Sequence, residues 1–298
     1  MSASDFRLDQ RLLRRRFGRA AARVDDADLL SRELARRMDE RLEYIRIAPR
    51  RILDLGCGTG ADLGLLAARY PEALVLGADF APPMLTRARA RQPRAGLLRR
   101  LVGRAPEGAV LLAADARALP LPRDSVGMLW SNLMLPALDD PLPALREMHR
   151  VLEVDGMLMF SSLGPDTLRE LRAALPDAAG ERVHRFIDMH AIGDALVEAG
   201  FVDPVMDMEM LTLTYADLDT LLQDLRANGL SNASLRRPRG RSGRDGWAAA
   251  RAAYERLRRD GRLPASFEII QGHAWKAAPK TTEDGRAIVR FQPRPPRP

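Results

Sequence analysis

Residues 53–60 read Leu-Asp-Leu-Gly-Cys-Gly-Thr-Gly, three glycines in five positions directly behind an apolar run. A short apolar run predicts a buried strand, and glycines at this spacing predict a tight turn whose backbone closely approaches something else. Arg51 to Leu55 therefore reads as a strand, and the glycine loop opens a helix that runs through Tyr70 and stops at Pro71. A strand–glycine loop–helix unit points to an open α/β sheet with a ligand on that loop.

The rest of the first half repeats the alternation. Residues 73–80, 109–116, 125–132 and 156–163 read as further strands, with helices over 83–91 and 142–152 between them. Such alternation specifies a parallel sheet covered on both faces. Beyond Gly164 the pattern changes: helices over 167–175 and 192–200, a long strand over 205–215 and another over 267–276. Two helices near 216–228 and 245–259 separate those last strands and are expected to form a lid. The Arg-rich start places Phe6, Leu13, Phe17, Ala20 and Val24 near one helical face, which predicts a single amphipathic helix.

A chain of 298 residues, 46% of them hydrophobic, can bury one sizeable core with appended pieces. The single cysteine permits no internal disulfide, and no apolar run is long enough to span a bilayer. With no recognisable signal peptide, a cytoplasmic protein without membrane contact is expected. The net charge of +7 is uneven: residues 1–23 hold seven Arg against two Asp, and residues 236–262 hold ten Arg against three acids. The second stretch is suited to steering an acidic partner, or is simply a solvated loop.

The ligand of the loop follows from its acids. A phosphate-binding loop of the Walker type requires Gly-Lys-Ser/Thr, and here Gly60 is followed by Ala61-Asp62. A dinucleotide pyrophosphate is disfavoured by Asp54, whose negative charge sits just ahead of the loop. Asp54 suits a ligand with a cationic end, while Asp79, ending the second strand, is placed to accept both hydroxyls of a ribose. An adenosyl ligand with a positively charged amino-acid tail satisfies both acids, which is S-adenosyl-L-methionine (SAM).

"LDLGCGTG", "GADFAPPML", "AADARALPLPRDSVGMLWSN" and "REMHRVLEVDGMLMFSS" resemble successive motifs of the class I SAM-dependent methyltransferases. The resemblance implies a Rossmann-like α/β fold: a mostly parallel seven-stranded sheet, helices on both faces and a helical lid between the last two strands. It implies that Asp54, Gly56, Cys57, Gly58 and Gly60 receive the methionine part and Asp79 the ribose, with Phe80 and Met84 beside it. Asp115 and Ala116 then meet the adenine edge, and Ser131 and Asn132 line the floor near the sulfonium. Cys57 reads as a small buried residue and not a nucleophile. The implied organisation is an N-terminal helical segment over the active site (1–45), a SAM-binding core (46–164), a C-terminal part carrying the lid at about 216–262 (165–277), and a disordered basic tail (278–298).

Several substrate classes lack their residues. "SNLM" stands where adenine-N6 enzymes carry an Asn/Asp-Pro-Pro-aromatic tetrad, no cysteine lies outside the glycine loop, and His149, His184, His190 and His273 have no metal-ligand spacing. No general base stands out, as suits methylation of a carboxylate that is already ionised. The segments "FGRAAARVDDADLLSRELARRM", "LGPDTLRELRAAL", "RVHRFIDMHAIGDALVEAGFVDPVMDME", "LTYADLDTLLQDLRANGLSN" and "GRLPASFEIIQGHAWK" resemble the malonyl-[acyl-carrier protein] O-methyltransferases of biotin synthesis over about residues 12–277. That implies methylation of the free carboxylate of a malonyl thioester, with an acyl carrier protein as partner. Such an enzyme is expected to hold the carboxylate with arginine, Arg185 first and Arg226 second. One departure is visible: Pro136-Ala137 stands where the family usually has a His-Trp pair. "DTLRELR" and Ser231-Asn232 also resemble the branch of the mitochondrial complex I assembly factor that hydroxylates an arginine, which keeps a SAM-fold enzyme or assembly factor acting on another protein as an alternative. A third reading is an RNA methyltransferase using the basic periphery, against which the 5% aromatic content leaves few stacking platforms. No DNA partner and no metal are expected.

Overall fold

In the computed structural model the described residues are 6–92, 108–175, 181–238 and 244–279. Seven strands form one sheet in the order β3-β2-β1-β4-β5-β7-β6: β1 (Arg51–Leu55), β2 (Leu74–Asp79), β3 (Val110–Ala113), β4 (Val126–Ser131), β5 (Leu152–Leu163), β6 (Val202–Tyr215) and β7 (Leu263–Trp275). The first five are parallel, and β7 runs antiparallel to both β5 and β6. From β1 the chain order runs to β2 and β3 on one side and to β4 and β5 on the other. The carboxyl ends of β1 and β4 therefore flank the crevice where such sheets bind ligands.

Alternation along the central strands builds both faces. Leu53, Leu129, Leu158 and Phe160 point to one side, where Leu145, Met148, Ile192 and Leu196 cover them. Ile52, Met128, Trp130, Met157 and Met159 point to the other and meet Met38, Leu63 and Leu66. A one-residue slip of any of these strands would exchange the two sets, so the register is set by burial on both faces.

The helices are α1 (Gln10–Ala20), α2 (Leu29–Arg41), α3 (Leu63–Arg69), α4 (Pro82–Arg91), α5 (Leu142–Val151), α6 (Arg169–Ala174), α7 (Met189–Glu198), α8 (Leu218–Ala227) and α9 (Arg244–Glu255). Asp9, Asp188 and Asp217 cap α1, α7 and α8 by accepting from the backbone N–H groups of Leu12, His190 and Thr220. The expected lid is present as α8 and α9, whose Leu218, Leu221, Leu225, Ala250 and Tyr254 share one apolar cluster with Leu171 of α6 and Phe267 of β7.

Local boundaries differ from the sequence reading where tertiary contacts intervene. The N-terminal helix covers only residues 10–20; Leu8 bridges Ser234 as an isolated strand pair, and Val24 lies in a 3₁₀ turn. Phe6 and Val24 are thus not on the helix. The helix expected from residue 167 starts at Arg169, because Leu168 adopts a left-handed conformation (φ 59°) and donates its N–H to Ser266 O. The third strand stops at Ala113, since Asp115 turns back to bridge Ala118. The expected tail falls almost wholly outside the described residues. No described helix is long and apolar enough to cross a membrane.

Candidate active site

The glycine loop is shaped for close packing. Gly56, Gly58 and Gly60 all have positive φ (84°, 52° and 77°). A Cβ on Gly56 would lie 2.6 Å from Met134 Cβ, and one on Gly60 2.9 Å from Leu63 Cδ1, whereas one on Gly58 would meet nothing within 4 Å. Two glycines therefore fit the loop against its neighbours, and the third leaves open space in front of it.

That space is a cavity of about 140 Å³ lined by Asp54, Gly56, Cys57, Gly58, Asp62, Asp79, Met84 and Asn132, and closed by Phe17, Val24 and Asp25 from the N-terminal segment and Leu230 from the lid. A second opening continues from the shared walls Gly56 and Asp79 to Phe80, Ala114, Asp115, Ala116, Met134 and Ala137. The Asp115 carboxylate is held by Arg117, at 2.7 Å.

The electrostatics of the first cavity are lopsided. Burial raises the pKa of Asp54 well above the usual carboxylate range, and neighbouring Asp62 and Asp79 push it further. Burial also raises Asp62 and Asp79. Asp79 accepts from Gly58 N at 3.0 Å and Ala81 N at 2.7 Å, and Asp62 from Trp130 Nε1 at 2.9 Å and Asn132 Nδ2 at 3.1 Å. Asp54 Oδ2, however, has no hydrogen-bond partner among the described residues. No lysine or arginine is among the described residues lining the cavity. A ligand whose end is cationic and whose middle carries hydroxyls matches this acid set, as SAM does.

Most of the residues expected from the sequence converge here, on one side or the other of Asp79. Ser131 and Gly60 line neither opening: Gly60 packs against Leu63 and Ala88, and the Ser131 side chain is fully buried, its Oγ without a partner among the described residues. Cys57 lines the first cavity, its thiol pushed far above the usual range by burial and by Asp54, as an inert packing residue would be. Sequence reasoning missed Asp62, which Trp130 holds, and the N-terminal Phe17, Val24 and Asp25. Asp62 was legible as an acid in the turn before α3; the N-terminal residues carry no local signal.

A larger cavity of about 320 Å³ lies under the lid, lined by Arg16, Arg182, Arg226 and Arg237 with Leu171, Leu175, Leu222 and Trp247. Leu230 is common to its wall and to that of the acid-lined cavity. Arg16 is anchored beside Leu230 by donating to the carbonyls of Ser231 and Asn232, and burial together with the charge of Arg237 lowers its pKa. Arg226, the second carboxylate candidate, lines this cavity from α8. Arg185 is absent from its described lining: it pairs with Glu181 at 3.2 Å and lies over the Phe6 ring at 5.6 Å.

Pro136 and Ala137 form a 3₁₀ turn between the two regions, Pro136 O meeting His184 Nε2 at 3.1 Å and Ala137 lining the second opening. In the described part of the basic stretch at 236–262, Arg237 pairs with Asp9, Arg251 with Asp219 and Arg258 with Glu255. Among the described residues no group of three His, Cys, Asp or Glu side chains is arranged to hold a metal ion.

Residues 53–160 match the family model described as a methyltransferase domain. The malonyl-[acyl-carrier protein] O-methyltransferase of Laribacter hongkongensis is 50% identical over 98% of this chain and 98% of its own length. The protein of that name from Gallionella capsiferriformans is 47% identical, covering 96% and 98%. Among solved structures, the YcgJ protein of Bacillus subtilis superposes with a TM-score of 0.54 at 14% identity, over 81% of this chain and 98% of that one, which supports the fold.

Proposed function

The chain belongs to the malonyl-[acyl-carrier protein] O-methyltransferase family, and from that premise we propose that it transfers a methyl group from SAM to the free carboxylate of a malonyl thioester, malonyl-acyl carrier protein, in biotin biosynthesis. The observation that carries the reading is the shared wall at Leu230: a cavity lined by carboxylates, with Asp54 Oδ2 lacking a hydrogen-bond partner among the described residues, adjoins one lined by arginines. A cationic donor and an anionic acceptor are the pair this arrangement favours. The names of relatives matching over almost the whole chain favour this acceptor over the protein-hydroxylating and RNA alternatives.

When bound, SAM supplies an electrophilic methyl group on a sulfonium. On this reading Asp54 holds the ammonium of its amino-acid tail, Asp79 the ribose hydroxyls, and the wall from Phe80 to Ala116 the adenine. Asn132 is oriented at the cavity floor by donating to Ser31 O at 2.9 Å and accepting from Ser161 Oγ at 2.7 Å. Arg16 and Arg226 fix the acceptor carboxylate with charge-assisted bonds. The carboxylate is ionised at neutral pH, so no residue must remove a proton. The protein's contribution is alignment and exclusion of water by the N-terminal segment and the lid.

Mass spectrometry of malonyl-acyl carrier protein after incubation with the protein and SAM tests the reading, with malonyl-CoA as control. One added methyl, on the malonyl group, is expected. A preparation that binds S-adenosylhomocysteine (SAH) yet forms no ester refutes it.

A further inference from the structure

Methyl transfer to a carboxylate uses the arginines of the lid cavity but leaves unexplained a buried histidine in its wall. His184 is 4% exposed and lines the cavity. Its ring is wedged between Phe6, at 6.2 Å, and Phe186, at 5.0 Å, edge to face with both. Nε2 lies 3.1 Å from the carbonyl oxygen of Pro136, which only accepts, so Nε2 carries the hydrogen. Burial holds the ring pKa near 4, so at neutral pH Nδ1 offers a lone pair. No donor among the described residues reaches it.

A buried acceptor left unmatched is costly, and the cavity is where a match would come from. The other walls restrict what that ligand is. Leu175, Leu222 and Trp247 favour a slender, mostly apolar body, and Arg16 and Arg226 favour anionic groups on it. The ligand therefore combines anionic groups with an N–H or O–H donor part way along an extended chain. A pantetheine arm has this make-up: two amides and a hydroxyl between a phosphate at the carrier end and a thioester at the other. A short alkyl thioester offers no donor.

We propose that the cavity under the lid is the channel for the pantetheine arm that carries the malonyl acceptor, and that His184 Nδ1 accepts an N–H of that arm. This rests on the carboxyl-methylation reading. His184 thereby discriminates arm-borne malonyl thioesters from truncated ones, without touching the reacting carboxylate.

Steady-state kinetics at saturating SAM with malonyl-pantetheine and with the S-methyl thioester of malonate test the assignment. His184→Phe keeps an aromatic ring and removes the acceptor. It should lower kcat/KM for malonyl-pantetheine about 10-fold, the scale of one buried hydrogen bond. The S-methyl thioester should be unaffected, and His184→Gln, which keeps a donor and an acceptor, should recover part of the loss. Equal losses on both substrates, or none on either, overturn the assignment. SAH calorimetry checks that each variant is folded. Should His184→Phe not fold, Leu222→Trp narrows the same channel and must also penalise the pantetheine substrate selectively. Malonyl-acyl carrier protein and malonyl-CoA bear the same arm and should lose equally; a loss confined to the carrier protein would assign His184 to protein docking and overturn the proposal. If the wild-type protein binds SAH but esterifies no malonyl substrate, the methylation reading itself falls and the channel with it.

Discussion

The hydroxyl of Thr59, on the glycine loop, donates to the carboxylate of Asp25, in the N-terminal segment, at 2.5 Å. The other Asp25 oxygen pairs with Arg91 of α4 at 2.8 Å, and Asn228 of the lid donates to Ala27 O at 2.8 Å. The segment is thereby latched across the acid-lined cavity from both sides. Its ion pair is more than a third exposed and contributes little by itself; the hydroxyl bond contributes more. Asp25→Ala should weaken SAH binding about 3- to 10-fold, mainly through faster dissociation, as stopped-flow displacement would show. An unchanged off-rate would mean that the segment does not gate the site.

Asp54 gives a sign-specific prediction. Its folded pKa is raised above the unfolded value, so the stability it contributes is present at low pH and lost as the pH rises through the folded pKa. Asp54→Asn should therefore raise the thermal midpoint of the ligand-free protein at neutral pH while weakening SAH binding by about 10- to 100-fold. Wild-type affinity should fall as the pH is lowered through the raised pKa, because the protonated acid cannot pair with an ammonium. Calorimetry across pH checks both; an Asn variant that binds as well as wild type would remove Asp54 from the site.

His184 shifts the other way. Its folded pKa, near 4, lies below the ordinary histidine value of 6.5, so its contribution is fully present above pH 6.5 and lost as the pH falls towards 4. The shift corresponds to roughly 3 kcal/mol across that window. Denaturation midpoints of wild type and His184→Gln should converge between those limits as the pH is lowered. Parallel curves would show that the ring is protonated without cost.

Two glycines separate loop geometry from helix propensity. Gly56→Ala places a Cβ against Met134 in a left-handed conformation, and should cost about 1–2 kcal/mol in strain alone, with loss of SAH binding. Gly64→Ala, exposed on α3 with open space around it, should instead stabilise by about 0.5–1 kcal/mol. Thermal melts of the two variants, moving in opposite directions, are the check.

Arg226→Met should raise KM for the malonyl acceptor and lower kcat/KM about 10-fold or more, with SAH affinity unchanged. Arg226→Lys should recover little, since an ammonium lacks the guanidinium fork. Arg185→Met, whose partners are Glu181 and Phe6, should leave acceptor kinetics near wild type. The reverse ranking would return the carboxylate to Arg185.

The sequence by itself determined the sheet, the glycine loop and two of the three acids, because these are written in short-range pattern. Period-two burial specifies strands such as Met157–Phe160, and Asp54 and Asp79 lie at fixed offsets from a recognisable loop. Tertiary structure decided the rest. Asp62 becomes a site residue because Trp130 and Asn132, nearly seventy positions away, aim their donors at it. Arg16, and not Arg185, lines the cavity under the lid because α1 folds back onto residues 231–232 and its guanidinium is fixed by their carbonyls. A cavity wall collects residues from segments far apart in the chain, so no local periodicity encodes it; only closure of the N-terminal segment and the lid brings the acid-lined and arginine-lined spaces to a common wall at Leu230.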